Sequence, residues 1–82
     1  MQFNGLYSYI ADTDFKIVIL VNKINIVNFY ELGHFDNNKV IVRYKINDNI
    51  HMIIIKGRSL VVSKLKLNEV LIEGVLDNIE FR

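Results

Sequence analysis

Residues 39 to 46 read Lys-Val-Ile-Val-Arg-Tyr-Lys-Ile, and this period-two pattern constrains the chain more than anything else in it. Successive side chains of a strand point to opposite sheet faces. Val40, Val42, Tyr44 and Ile46 therefore form one face, and Ile41, Arg43 and Lys45 the other. β-branched residues, which suit a pleated surface, dominate the chain, and proline, which would interrupt a central strand, is absent.

Two stretches depart from the alternation. Lys16 to Val21 and Met52 to Ile55 are apolar at nearly every position, as in strands covered on both faces by a sandwich core or a subunit contact. Both are expected to be central. Ile24 and Ile26 continue another strand towards Phe29. Leu60 and Val62 share a face, but Leu65 and Leu67 have the opposite phase, so a bulge or bend near Ser63 is expected to keep all four buried. The last segment carries Val70, Ile72, Gly74 and Leu76, then Ile79 and Phe81 around an expected turn at Asp77-Asn78.

Turn residues punctuate these strands at Asn4-Gly5, Asp36-Asn37-Asn38, Asn47-Asp48-Asn49 and Asn68. Asn, Asp and Gly tolerate positive φ and satisfy turn backbone groups locally. Residues 5 to 12 are compatible with one helical turn or an edge strand. The spacing predicts an all-β fold, a small antiparallel β-sandwich with a small barrel as the alternative. With 82 residues and no linker, the chain forms a single domain over 1–82.

Ile55-Lys56-Gly57 and Ile72-Glu73-Gly74 echo one another seventeen residues apart. Two copies at so short a period leave a short β-solenoid as a second choice. The preferred reading makes Gly57 and Gly74 structural glycines, each marking a bulge or a close backbone approach at a strand end. Neither belongs to a phosphate-binding loop, because no Walker spacing or Gly-rich turn into a helix surrounds it.

The chain has no cysteine, so disulfides and thiolate metal sites are excluded. His34 and His51 lack the spacing of a metal pair. No nucleophile elbow surrounds Ser8, Ser59 or Ser63, and the carboxylates fall in turns and polar strand faces. No catalytic, cofactor or metal site is expected, and the chain is not read as an enzyme. No apolar run is long enough for a membrane-spanning helix, and the first fifteen residues lack the pattern of a secretory signal.

Charge is distributed unevenly along the chain although the formal net charge is only +1. Bases dominate residues 39 to 66, and Glu69, Glu73, Asp77 and Glu80 come after them. These segments suit pairing between adjacent strands of one domain, or between opposed faces of two molecules. Lys56, Arg58, Lys64, Lys66, Glu69 and Glu73 are the candidate interaction residues. The four bases, with Tyr44 and Phe35 as stacking platforms, support the alternative of a nucleic-acid-binding β-barrel. Lysines that merely guard sheet edges are the simpler explanation of the same residues. The apolar content, 51%, is high for a small domain and favours protein association.

Residues 24 to 81 resemble the YabP/YqfC family of sporulation proteins. The segment Ile26-Val27-Asn28-Phe29-Tyr30-Glu31-Leu32-Gly33-His34-Phe35 resembles the family's middle motif, and Val40-Ile41-Val42-Arg43-Tyr44 the strand after it. The C-terminal family pattern is similar to Ile55, Gly57, Leu60 and Val62, then Val70, Ile72, Gly74, Leu76, Ile79 and Phe81. Glu31 stands where the family has glycine, and Val21-Asn22 where it has a Gly-Asn turn.

The resemblance implies a compact β-sandwich and a noncatalytic role in endospore formation, in mother-cell morphogenesis or spore coat assembly. The partner it implies is a membrane-bound sporulation protein, while the doubly apolar strands and opposed charge segments suit self-association or docking on a partner. The implied location is the cytoplasm of the mother cell, with a partner bringing the protein to the forespore surface.

Overall fold

The computed structural model describes residues 15–82, and these form one six-stranded antiparallel sheet without a helix. The strands are β1 (Lys16–Ile19), β2 (Lys23–Val27), β3 (Glu31–Phe35), β4 (Lys39–Ile46), β5 (Asn49–Leu65) and β6 (Glu69–Phe81). Their order is β1-β2-β6-β5-β4-β3, and the terminal strands β1 and β3 do not pair, so the sheet is not closed into a barrel. Hairpin-connected antiparallel strands also exclude solenoid rungs. Residues 5 to 12 and the Asn4-Gly5 turn lie outside the described residues.

β5 and β6 are 17 and 13 residues long, far beyond the usual strand of about five or six. Each serves two neighbourhoods. The first half of β5 lies between β4 and the end of β6, and the first half of β6 lies between β2 and the end of β5. The sheet therefore divides into two four-stranded layers, β1-β2-β6-β5 and β3-β4-β5-β6, joined through the long hairpin.

Packing shows that these layers fold onto each other. Ile24 and Ile26 of β2 share one buried cluster with Val40, Val42 and Tyr44 of β4, although the two strands are not neighbours in the sheet. Ile53, Ile55, Leu60, Val70 and Ile72 complete the cluster. The smallest extent of the Cα trace is 22 Å, too thick for one flat sheet and suited to two layers about 10 Å apart. Fully burying each of these side chains contributes roughly 1.5–3 kcal/mol.

The corner is built from Gly57, Ser59 and Gly74. Ser59 and Leu60 of β5 oppose only Gly74 of β6, between the pairs Arg58↔Val75 and Val61↔Glu73. Such a bulge bends its strand and increases the local twist. Ser59 has φ 55° and Gly74 φ 145°, both outside the region that ordinary strand residues adopt. A Cβ on Gly57 would collide with the Val75 carbonyl.

The two layers repeat the same pairing pattern around their glycines. Gly57 N–H donates to the Asn38 carbonyl (2.9 Å), and Gly74 N–H donates to the Asn22 carbonyl (3.0 Å). Behind these carbonyls run Lys39-Val40-Ile41-Val42 and Lys23-Ile24-Asn25-Ile26. Val40 lies opposite Ile55 and Ile24 opposite Ile72. The Ile-x-Gly echo is thus one device used once in each layer.

Several expectations are corrected. Asp77 is not in a turn: β6 continues through it, and Asp77 is the extra residue between Lys56↔Asn78 and Gly57↔Leu76. A bulge does occur at Ser63, between Val62↔Ile72 and Lys64↔Leu71. It does not bury the leucines beyond it, since Leu65 is 57% and Leu67 99% exposed. Met52 to Ile55 is central, with Ile53, Ile54 and Ile55 all buried, whereas Lys16 to Val21 supplies an edge strand and its turn.

Candidate interaction surface

The six charged candidates lie on both sides of the corner rather than in one patch. Lys56 is in register with Lys39 on β4 and with Asn78 on β6. Lys64 lies beyond the corner opposite Leu71, and Lys66 is in the turn that leads to β6. All three lysines are exposed, and among the described residues none has a carboxylate within ion-pairing distance.

Arg58 has a partner in its own chain. Its Nε and Nη2 donate to Asp77 Oδ2 and Oδ1 at 3.2 and 3.1 Å, and this hydrogen bond, then the carboxylate charge, push its pKa further up. The Asp77 bulge brings the carboxylate to the corner. Glu73 accepts a 2.8 Å bond from the hydroxyl of bulged Ser63 and lies in register with Lys23. Glu69 accepts a 3.0 Å bond from Asn25 Nδ2. The acidic and basic segments thus meet on adjacent strands of one molecule: Arg58 holds the corner, Glu73 bridges β6 to β5 and Glu69 bridges β6 to β2.

The aromatic platforms are separated as well. Tyr44 is 6% exposed, with its ring stacked on Phe15 at 4.0 Å and near-parallel to His51 at 5.5 Å. Its face is therefore closed to a base. Phe35 remains half-exposed on β3. Tyr30 lies on the surface with Lys45 Nζ 4.2 Å above its ring.

His34 and Asp36 form a surface pair, Nε2 to Oδ2 3.0 Å. Asp36 Oδ1 also accepts the backbone N–H groups of Asn38 and Lys39, at 2.8 and 2.7 Å. This shapes the β3–β4 turn and lowers the Asp36 pKa to about 2, with the His34 bond as the largest cause. Among the described residues no three acids and histidines are arranged to hold a metal ion, and no helix is long and apolar enough to cross a membrane.

What the charged residues do not provide, the end of β1 and the turn after it do. Val18, Ile19, Leu20 and Val21 are consecutive and 49, 46, 52 and 95% exposed. A run of this kind on the surface of a small fold marks a contact surface rather than core. The sequence pattern places this segment at the centre of the sheet because apolarity at every position signals cover on both faces without saying what supplies it. The same signal is met when a second molecule is the cover.

Comparison of the chain with protein-family models, with curated proteins and with solved structures finds no match.

Proposed function

We propose that this chain is a noncatalytic protein of endospore formation, acting by protein–protein contact in mother-cell morphogenesis or spore coat assembly. The observation that carries the contact role is the exposed apolar run Val18 to Val21 at the edge of the sheet formed by the described residues. Its resemblance to the YabP/YqfC pattern over residues 24 to 81 supplies the sporulation context. The partner is a second copy or a membrane-bound sporulation protein, and the mother-cell cytoplasm is the proposed location.

The nucleic-acid reading has less support. The basic side chains are spread around the corner, Arg58 is engaged by Asp77, and Tyr44 is enclosed. Single-strand binding needs a continuous basic groove with open aromatic faces.

The test is deletion of the coding sequence from its host, with a count of heat-resistant spores as the readout. A marked drop restored by the wild-type sequence is expected, whereas unchanged spore yield or a host that forms no spores would overturn the reading. Oligonucleotide affinity that falls steeply with salt would favour the alternative.

A further inference from the structure

Among the described residues the folded sheet leaves four strand edges without a pairing partner, and three of them are protected against further pairing. β3 is bulged at Gly33, between Leu32↔Val42 and His34↔Ile41. The end of β5 has Ser59 at positive φ, a bulge at Ser63 and then Lys64 and Lys66. The end of β6 carries the Asp77 bulge and Glu80. Bulges and edge charges are the usual means of blocking strand addition.

Among the described residues β1 has no such protection. Its pairing with β2 runs from Lys16↔Val27 to Ile19↔Ile24 without a shift, and its one charge is Lys16 at the start. Leu20 N–H donates to the Lys23 carbonyl at 2.8 Å. Hydrogen-bonded pairs alternate along an antiparallel ladder, so Lys16 and Val18 also turn their backbone groups towards β2. Ile17 and Ile19 turn theirs outward, two residues apart and symmetric about Val18.

We propose that β1 pairs antiparallel with β1 of a second copy of this chain, around a twofold axis at Val18, so that the β1-β2-β6-β5 layers of two molecules become one continuous sheet. This rests on the protein-contact reading above and names the surface and the partner. In this register Ile17 exchanges hydrogen bonds with Ile19 of the second copy, and the two Val18 side chains meet across the axis. Lys16 falls opposite Leu20 and Val21 opposite Phe15, so no like charges oppose each other. A net charge of only +1 per chain gives little repulsion between copies. Pairing through the same edge on both molecules closes as a dimer, whereas β1 on a different edge would propagate, and the bulged edges disfavour that route.

Absence of cysteine makes the full chain its own background for cross-linking. A non-hydrogen-bonded antiparallel pair places its Cα atoms about 4.5 Å apart, within the range of about 4.4–6.8 Å that a disulfide spans. Val18→Cys is expected to form a disulfide-linked dimer at least ten times faster than Val61→Cys, whose side chain is equally exposed but lies on the bulged edge of β5.

Light scattering should show a concentration-dependent dimer for the wild-type chain. Val18→Lys, which sets two charges together on the axis, should weaken that dimer at least tenfold while leaving the circular dichroism spectrum unchanged. A strict monomer at every concentration would overturn the inference, as would a dimer indifferent to Val18→Lys or equal cross-linking of the two cysteine variants. A monomer whose deletion still abolishes heat-resistant spores removes the β1 pairing and leaves the sporulation reading intact. A β1 dimer without a spore defect does the reverse.

Discussion

The carbonyl oxygen of Ser59 lies 2.7 Å from the place a Cβ would occupy on Gly74. Gly74 also has φ 145°, where a side chain strains the backbone. Gly74→Ala is therefore expected to destabilise the domain by about 2 kcal/mol, within the range for strained backbone. For a domain of this size that lowers the melting temperature by roughly 10 °C. Gly57→Ala should cost at least as much, because its Cβ meets the fixed Val75 carbonyl. Thermal melts of both variants that match wild type would remove this account of the corner.

Phe15 and Tyr44 tie the start of β1 to β4 in the other layer, their rings 4.0 Å apart and 15° from parallel. Stacked aromatic pairs contribute about 0.5–1.5 kcal/mol beyond area burial. A double-mutant cycle with Phe15→Leu and Tyr44→Leu should return a coupling of about 1 kcal/mol. A coupling near zero from urea titrations would mean that the rings pack independently.

Among the described residues Asn25 Oδ1 is buried without a hydrogen-bond partner, although its Nδ2 reaches Glu69. A buried unsatisfied acceptor costs about 1–3 kcal/mol, and valine has the higher strand propensity. Asn25→Val is expected to raise stability by about 1 kcal/mol once the lost Glu69 bond is offset. A lower denaturant midpoint for this variant would show that the amide contributes more than its unpaired oxygen costs.

Asp36 carries the acid-side prediction. Its folded pKa is depressed from 3.8 to about 2, so the folded state holds fewer protons there than the unfolded chain between these values. The resulting stability is present above about pH 4 and is lost as pH falls through about 2. Carboxyl NMR should place its midpoint near that value, and His34→Ala should raise it, since the His34 bond is the largest cause. Asp36→Asn should flatten the dependence of stability on pH in this window. A midpoint at the ordinary aspartate value would show that the turn does not form as described.

Local chemistry made much of the fold legible. Val40, Val42 and Tyr44 alternate into the core as their spacing predicts. Asn47 and Asp48, both at positive φ, form the two-residue turn joining β4 to β5. The Ser63 bulge arises from the phase change after Val62. Asp77 misleads because a polar pair inside an alternating segment resembles a turn, and only the partner strand shows that β6 passes through with one extra residue.

The candidate contact surface was less legible, since charge runs such as Lys64 to Glu73 record which residues are polar but not which strands adjoin. By itself the sequence determined side-chain period, turn chemistry and the two glycines where a Cβ has no room. Those properties depend on a residue and its immediate neighbours. Tertiary structure decided that β5 and β6 bend across both layers, that Arg58 and Asp77 meet at the corner, and that β1 ends the sheet with Val18 to Val21 exposed. Strand order and edge position depend on long-range pairing, in which apolar strands such as Lys16–Ile19 and Met52–Ile55 present nearly the same local pattern whether their cover is the same chain or another.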